Sequence, residues 1–289
     1  MNYTEQVVTF SCSGEELLGI LAVPERPRAI GVLIVVGGPQ TRIGSHRQFL
    51  LLSRGLASAG YPVMRFDFRG MGDSTGEQRN FEAISDDIAA AIDVFQADCL
   101  HIDRVVLWGL CDAASANLMY WDQTKDPRVH GLVLLNPWVR SEVTLARMQI
   151  KHYYGQRLLQ IEFWRKLFTG NLAVGRALKG FIGGWLRARQ TTNLQPIEQS
   201  IPFQVRMMRA LLEFPGPMLL ILSGEDYTAK EFLEAIQADS DGRKALSKQL
   251  LTRVDIGGAD HTFSSAQWRQ AVQEDTSAWI QKISANFSL

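Results

Sequence analysis

Cysteine is scarce in this chain. Cys12, Cys99 and Cys111 are the only three in 289 residues, far apart and odd in number. That excludes a disulfide framework and points to free thiols in a reducing compartment, so the cytoplasm is the expected location. Net charge is absent as well: 30 basic residues cancel 30 acidic ones. A balanced chain offers no overall attraction to nucleic acid. No apolar run approaches the ~18 residues of a membrane span. The opening "MNYTEQVVTFSC" has neither a basic nor an apolar segment of the signal-peptide kind. Nucleotide motifs are missing too. Gly70, Gly72 and Gly76 miss the G-x-G-x-x-G spacing by one position, and there is no P-loop. No Cys/His group has zinc-ligand spacing. No cofactor or metal is expected.

What the chain does contain is a regular alternation. "AIGVLIVVGG" (29–38), "YPVMRFDFRG" (61–70), "RVVLWG" (104–109), "VHGLVLLN" (129–136), "PMLLILSG" (217–224) and "LLTRVDIGG" (250–258) read as strands, most of them apolar throughout. An opening hairpin over 5–12 and 17–23 brings the count to eight. Helical periodicity covers 47–60, 80–96, 112–125 and 266–284, with Asn80 the expected N-cap of the second. The pattern predicts an α/β fold: a mainly parallel eight-stranded sheet with helices on both faces. The core is expected over 1–139 and 216–289. Between them, 140–215 carries no convincing strand and reads as a helical lid over the carboxyl ends of the strands, where open α/β sheets bind ligands. It holds twelve basic residues against four acidic ones, a net of +8, which leaves −8 for the rest. Such a segment fits an anionic substrate, or contact with an anionic membrane surface through Trp164, Phe181 and Trp185.

The chemistry centres on "WGLCDAAS" (108–115). In a nucleophile elbow, G-x-S-x-G, the residues two before and two after the nucleophile must be small. Gly109 and Ala113 meet that requirement around Cys111, whereas centring the frame on Asp112 or Ser115 does not. A helix starting at Asp112 points its N–H groups at Cys111 and favours a thiolate. "SGEDYTAKEF" (223–232) offers Asp226 after a late strand. "GGADHTFSS" (257–265) offers His261 after the last one. The order nucleophile, acid, histidine is that of the α/β-hydrolases. Oxyanion donors are expected at the N–H of Asp112 and at that of Gly38, since Pro39 has none. Gln40, His46, Trp138 and Trp164 are the expected substrate contacts. "DFRGMGDSTGE" (67–77) reads as scaffold, with Asp67 and Arg69 tying a loop.

Together these motifs resemble the α/β-hydrolase superfamily over essentially the whole chain. More narrowly, "GGPQTRIGSHRQF", "RFDFRGMGDSTG", "WGLCDAAS" and "SGEDYTAKEF" resemble the first type of exosortase A system-associated hydrolase. That resemblance implies a bacterial setting beside exopolysaccharide and protein-sorting systems. The cysteine in the elbow is similar to that of dienelactone hydrolases. The implied activity is cleavage of an ester or thioester through an acyl-cysteine, by Cys111, His261 and Asp226. A thiolate is also a good leaving group, so activated esters, lactones and thioesters suit it better than amides. The expected partner is a small-molecule or acyl-carrier substrate. Two other readings use the same residues differently: an acyltransferase, in which another acceptor replaces water, and a non-catalytic accessory binding protein.

Overall fold

The computed structural model describes residues 2–140 and 201–285. The chain divides into two compact units, one of Met1–Val139 with Pro202–Leu289, the other Arg140–Ile201. The second lies almost wholly outside the described residues, and with it the expected contacts Trp164, Phe181 and Trp185.

The first unit is built on one eight-stranded sheet. Its strands are β1 (Tyr3–Cys12), β2 (Glu15–Pro24), β3 (Ile30–Val35), β4 (Val63–Asp67), β5 (Arg104–Leu110), β6 (Val129–Leu135), β7 (Met218–Ser223) and β8 (Leu251–Ile256). They lie in the order β1-β2-β4-β3-β5-β6-β7-β8. The β1–β2 and β2–β4 pairings are antiparallel and the other five are parallel. Every residue of β3, β4 and β7 is buried, as expected of strands covered on both faces.

The described helices are α1 (Gln48–Ser58), α2 (Ser85–Asp98), α3 (Asp112–Thr124), α4 (Phe203–Glu213), α5 (Tyr227–Ala238), α6 (Ser240–Leu246) and α7 (Ala266–Ala285). Alternate residues of each central strand feed opposite cores. Leu33, Leu107, Leu134 and Leu220 pack with residues of α2, α3 and α4. Ile34, Trp108, Val133 and Ile221 pack with residues of α1 and α7 on the other side.

Two expectations need correction. Asn80 does not cap α2. Its side chain accepts the Glu82 N–H at 3.1 Å and caps a short 3-10 turn over Phe81–Ala83, after which α2 starts at Ser85. The insertion also ends earlier than 215. Helix α4 belongs to the first unit and packs on α3, where Arg209 forms a two-bonded ion pair with the buried Asp122, at 2.7 and 2.5 Å. Arginines that read as lid charge instead tie α4 to α3 there, through Asp122.

Candidate active site

The elbow follows directly from the end of β5. Cys111 has φ 62° and ψ −124°, a conformation that L-residues adopt rarely and that costs on the order of 1–3 kcal/mol. The surrounding contacts enforce it. The Cys111 N–H donates to Leu135 O at 2.8 Å, and the Trp138 N–H donates to Cys111 O at 3.2 Å. The Ser115 hydroxyl donates to Trp138 O at 2.7 Å, so the segment after β6 is fastened to the start of α3. A Cβ on Gly109 would lie 2.7 Å from Ala113 C and from Asn117 Nδ2. Ala113 itself is fully buried. The small residues are thus required by close backbone approach, and Cys111 projects, half-buried, from the turn.

Asp226 and His261 arrive from the ends of β7 and β8. Asp226 is the N-cap of α5, accepting the N–H groups of Thr228 at 3.0 Å and Ala229 at 3.3 Å. Its Oδ2 also lies 2.8 Å from His261 Nδ1. Burial opposes its charge, but the His261 bond, the charge on His261 and the two N–H groups outweigh burial and hold the carboxyl below its ordinary range. His261 is pushed up to about 10, first by the hydrogen bond to Asp226, then by that to the Cys111 side chain, against its own burial. With Nδ1 taken by Asp226, Nε2 is the ring nitrogen left for Cys111. The three residues singled out from the sequence therefore meet in one place.

A residue the sequence did not single out holds that place together. Asn136, at the end of β6, is fully buried with φ 42°. Its Nδ2 donates to Ser223 Oγ at 2.8 Å and to His261 O at 3.1 Å, and its Oδ1 accepts the Ser223 N–H at 2.9 Å. One side chain joins β6, β7 and the histidine loop. An asparagine ending an apolar strand was the only signal for it.

A cavity of about 450 Å³ opens beside Cys111, Asp112 and His261, within the size range of small-molecule sites. Of the expected substrate contacts, Gln40 and Trp138 line it. Gln40 has a structural task as well, since its Oε1 accepts the Ser45 N–H at 3.0 Å. His46 is not in the wall; it sits exposed on a 3-10 turn over Ser45–Arg47. Phe81, on the turn before α2, is in the wall and was missed because its segment read as helix. Its ring meets Phe203 of α4 edge-on, with centroids 5.3 Å apart.

Gly38 is also in the wall, but its N–H is engaged. It donates to Asp112 Oδ2 at 2.8 Å. Asp112 is expected to contribute its backbone N–H; the structure also turns its carboxylate toward the Gly37–Gly38 loop.

The sequence profile described as Alpha/beta hydrolase family matches residues 32–274, most of the chain. This chain belongs to the α/β-hydrolase family. No curated protein sequence matches it. Solved structures resemble this hydrolase in fold. An esterase of Pyrococcus furiosus is 15% identical, with 97% of this chain and 93% of that one covered and a TM-score of 0.63. A dienelactone hydrolase of Anabaena variabilis is 17% identical, with 98% and 99% covered and a TM-score of 0.60. A ferulic acid-bound Est1E of Butyrivibrio proteoclasticus is 14% identical, with 95% and 98% covered and a TM-score of 0.60. In this hydrolase, no helix among the described residues is long and apolar enough to cross a membrane.

Proposed function

We propose that the protein hydrolyses carboxylic esters or thioesters through an acyl-cysteine, with Cys111 as nucleophile, His261 as acid–base and Asp226 as its orienting carboxylate. The observation that carries this reading is the chain of contacts from Asp226 through His261 to Cys111 on a positive-φ elbow. In the first half-reaction the Cys111 thiolate adds to the acyl carbon, and the carbonyl electron pair moves onto oxygen. The intermediate collapses, the bond to the leaving alcohol or thiol breaks, and His261 supplies the leaving group's proton. In the second half, His261 takes a proton from water, the hydroxide adds to the acyl carbon, and the thiolate is released with the free acid. The N–H groups of Gly38 and Asp112 are the donors for the oxyanion.

This reading extends to substrate and setting. The basic segment 140–201 is assigned to recognition of an anionic group remote from the scissile bond, as on an acyl carrier. The motif likeness to exosortase-associated hydrolases supports a bacterial setting beside exopolysaccharide and protein-sorting systems.

The test is alkylation of Cys111 by iodoacetamide, with labelling counted peptide by peptide so that the buried Cys12 and Cys99 do not contribute. Fast labelling in wild type that falls about tenfold or more in His261→Ala is the expected result. A rate that is slow and indifferent to His261 removes the nucleophile assignment. Product analysis with added alcohols then separates hydrolysis from acyl transfer.

A further inference from the structure

We propose that the Asp112 carboxylate occupies the oxyanion site of the free protein as an internal stand-in for the reaction's anion. A substrate carbonyl then binds productively only by displacing it from the Gly38 N–H. This rests on the assignment of Cys111 as nucleophile.

The geometry is that of a bound anion. An oxyanion hole is recognised by N–H donors 2.7–3.1 Å from the anionic oxygen. The Gly38 N–H lies 2.8 Å from Asp112 Oδ2, within that range. Burial works against this charge, and the N–H groups of Gly38, Ala113 and Asp112 itself work for it. The Gly38 donor assigned to the substrate's oxygen is therefore occupied by this side chain.

The loop is shaped to admit the carboxylate. A Cβ on Gly37 would lie 2.9 Å from Ala113 N and 3.0 Å from Leu110 O, which restricts the position to glycine, and the space it would fill is where Asp112 Oδ1 sits, 2.1 Å away. Oδ1 is buried and makes no hydrogen bond of good geometry among the described residues. The carboxylate faces the cavity beside Cys111 and His261, with one oxygen on the Gly38 donor and the other shielded from solvent. It can rotate about two side-chain bonds, so its removal from the site requires no movement of the backbone.

The consequence is a latent nucleophile. Reactions of Cys111 that build no oxyanion proceed freely, whereas addition to a carbonyl is held back by the carboxylate. Butanal and iodoacetamide separate the two. When the thiolate adds to butanal, a carbon–sulfur bond forms, the carbonyl electrons move to oxygen, and that oxygen needs the Gly38 donor. Alkylation by iodoacetamide displaces iodide and needs no such donor.

The experiment measures the protection of Cys111 from iodoacetamide by butanal in wild type, Asp112→Ala and Asp112→Ser, each checked for folding by its melting transition. Both variants are expected to bind butanal about tenfold more tightly than wild type. Equal or weaker binding in a folded variant overturns the proposal, because an acid that merely supports the helix would leave carbonyl addition unchanged or impaired on removal. Failure of the underlying reading looks different. A wild-type Cys111 whose alkylation does not depend on His261 removes both claims, whereas an activated Cys111 with unchanged butanal affinity removes only this one. Asp112→Ser keeps a helix-starting residue and guards against loss of the fold in Asp112→Ala.

Discussion

Asp112 is a residue working against its own environment. Burial is the dominant influence and raises its pKa; the N–H groups of Gly38, Ala113 and Asp112 and the nearby His261 offset this only in part. A carboxyl whose pKa is raised on folding contributes stability that is complete below its unfolded value. That stability is lost as pH rises through the folded value. At neutral pH the ionised carboxylate therefore weakens the fold. Asp112→Asn, which keeps an oxygen to accept the Gly38 N–H, is expected to melt higher than wild type at neutral pH. The gap should close as pH falls toward the ordinary aspartate range, and a gap independent of pH contradicts this account. Asn136 has the opposite character. Asn136→Ala leaves Ser223 and the His261 carbonyl without their partner, at about 1–3 kcal/mol for each buried group unpaired. Urea unfolding reads the loss, and slower alkylation of Cys111 reads the loosened histidine loop. Cys111, Asp226 and His261 were legible in the sequence because chain order and small flanking residues constrain them. The aim of the Asp112 side chain was not, since spacing fixes a residue's place and leaves its rotamer open.

Elements were legible where burial was simple. The runs at β3 and β7 are almost wholly apolar because both faces are covered; the strands β3, β4 and β7 fall within the expected stretches, and β5 runs one residue past its own. Elements were misread where one residue type serves two purposes. Asn80 is as good a cap for a 3-10 turn as for a helix, and the turn it caps carries Phe81 into the cavity wall. Arg206 and Arg209 read as surface charge, yet both reach Asp122 of α3. The loop "DFRGMGDSTGE" is expected to be scaffold, and its contacts are of that kind. Arg69 donates from Nε and Nη2 to the two oxygens of Asp87 on α2, at 2.9 and 2.8 Å, and its N–H adds a third bond at 2.9 Å. Asp67 is fully buried and holds Arg42 of the Gly37–Gly38 loop, through its side chain and through the N–H at 2.6 Å. The arginine clamp fixes α2 against the loop after β4. Arg69→Leu leaves Asp87 as an unpaired buried charge, an arrangement that costs about 3–5 kcal/mol. A midpoint in urea unchanged from wild type would show that the clamp carries no such weight.

At the scale of the whole molecule, the zero net charge conceals a division. With Arg206 and Arg209 engaged by Asp122, the segment 140–201 still carries ten basic and three acidic residues, a net of +7, balanced by −7 elsewhere. Such an asymmetry acts at long range, and salt screens it over about 8 Å at physiological ionic strength. Solvated charge with no partner would affect all substrates alike. Charge that recognises an anionic group, as proposed here, favours one substrate class and loses that preference as salt rises. The comparison is kcat/KM for a phosphate-bearing acyl thioester against that for an uncharged aryl ester of the same acyl group, from low to high salt. The thioester is expected to lose on the order of tenfold, in line with electrostatic steering of a charged ligand, while the uncharged ester changes little. Parallel decline of both substrates would locate the salt effect in the common chemistry at Cys111. Decline of neither would leave the basic segment without a part in substrate recognition.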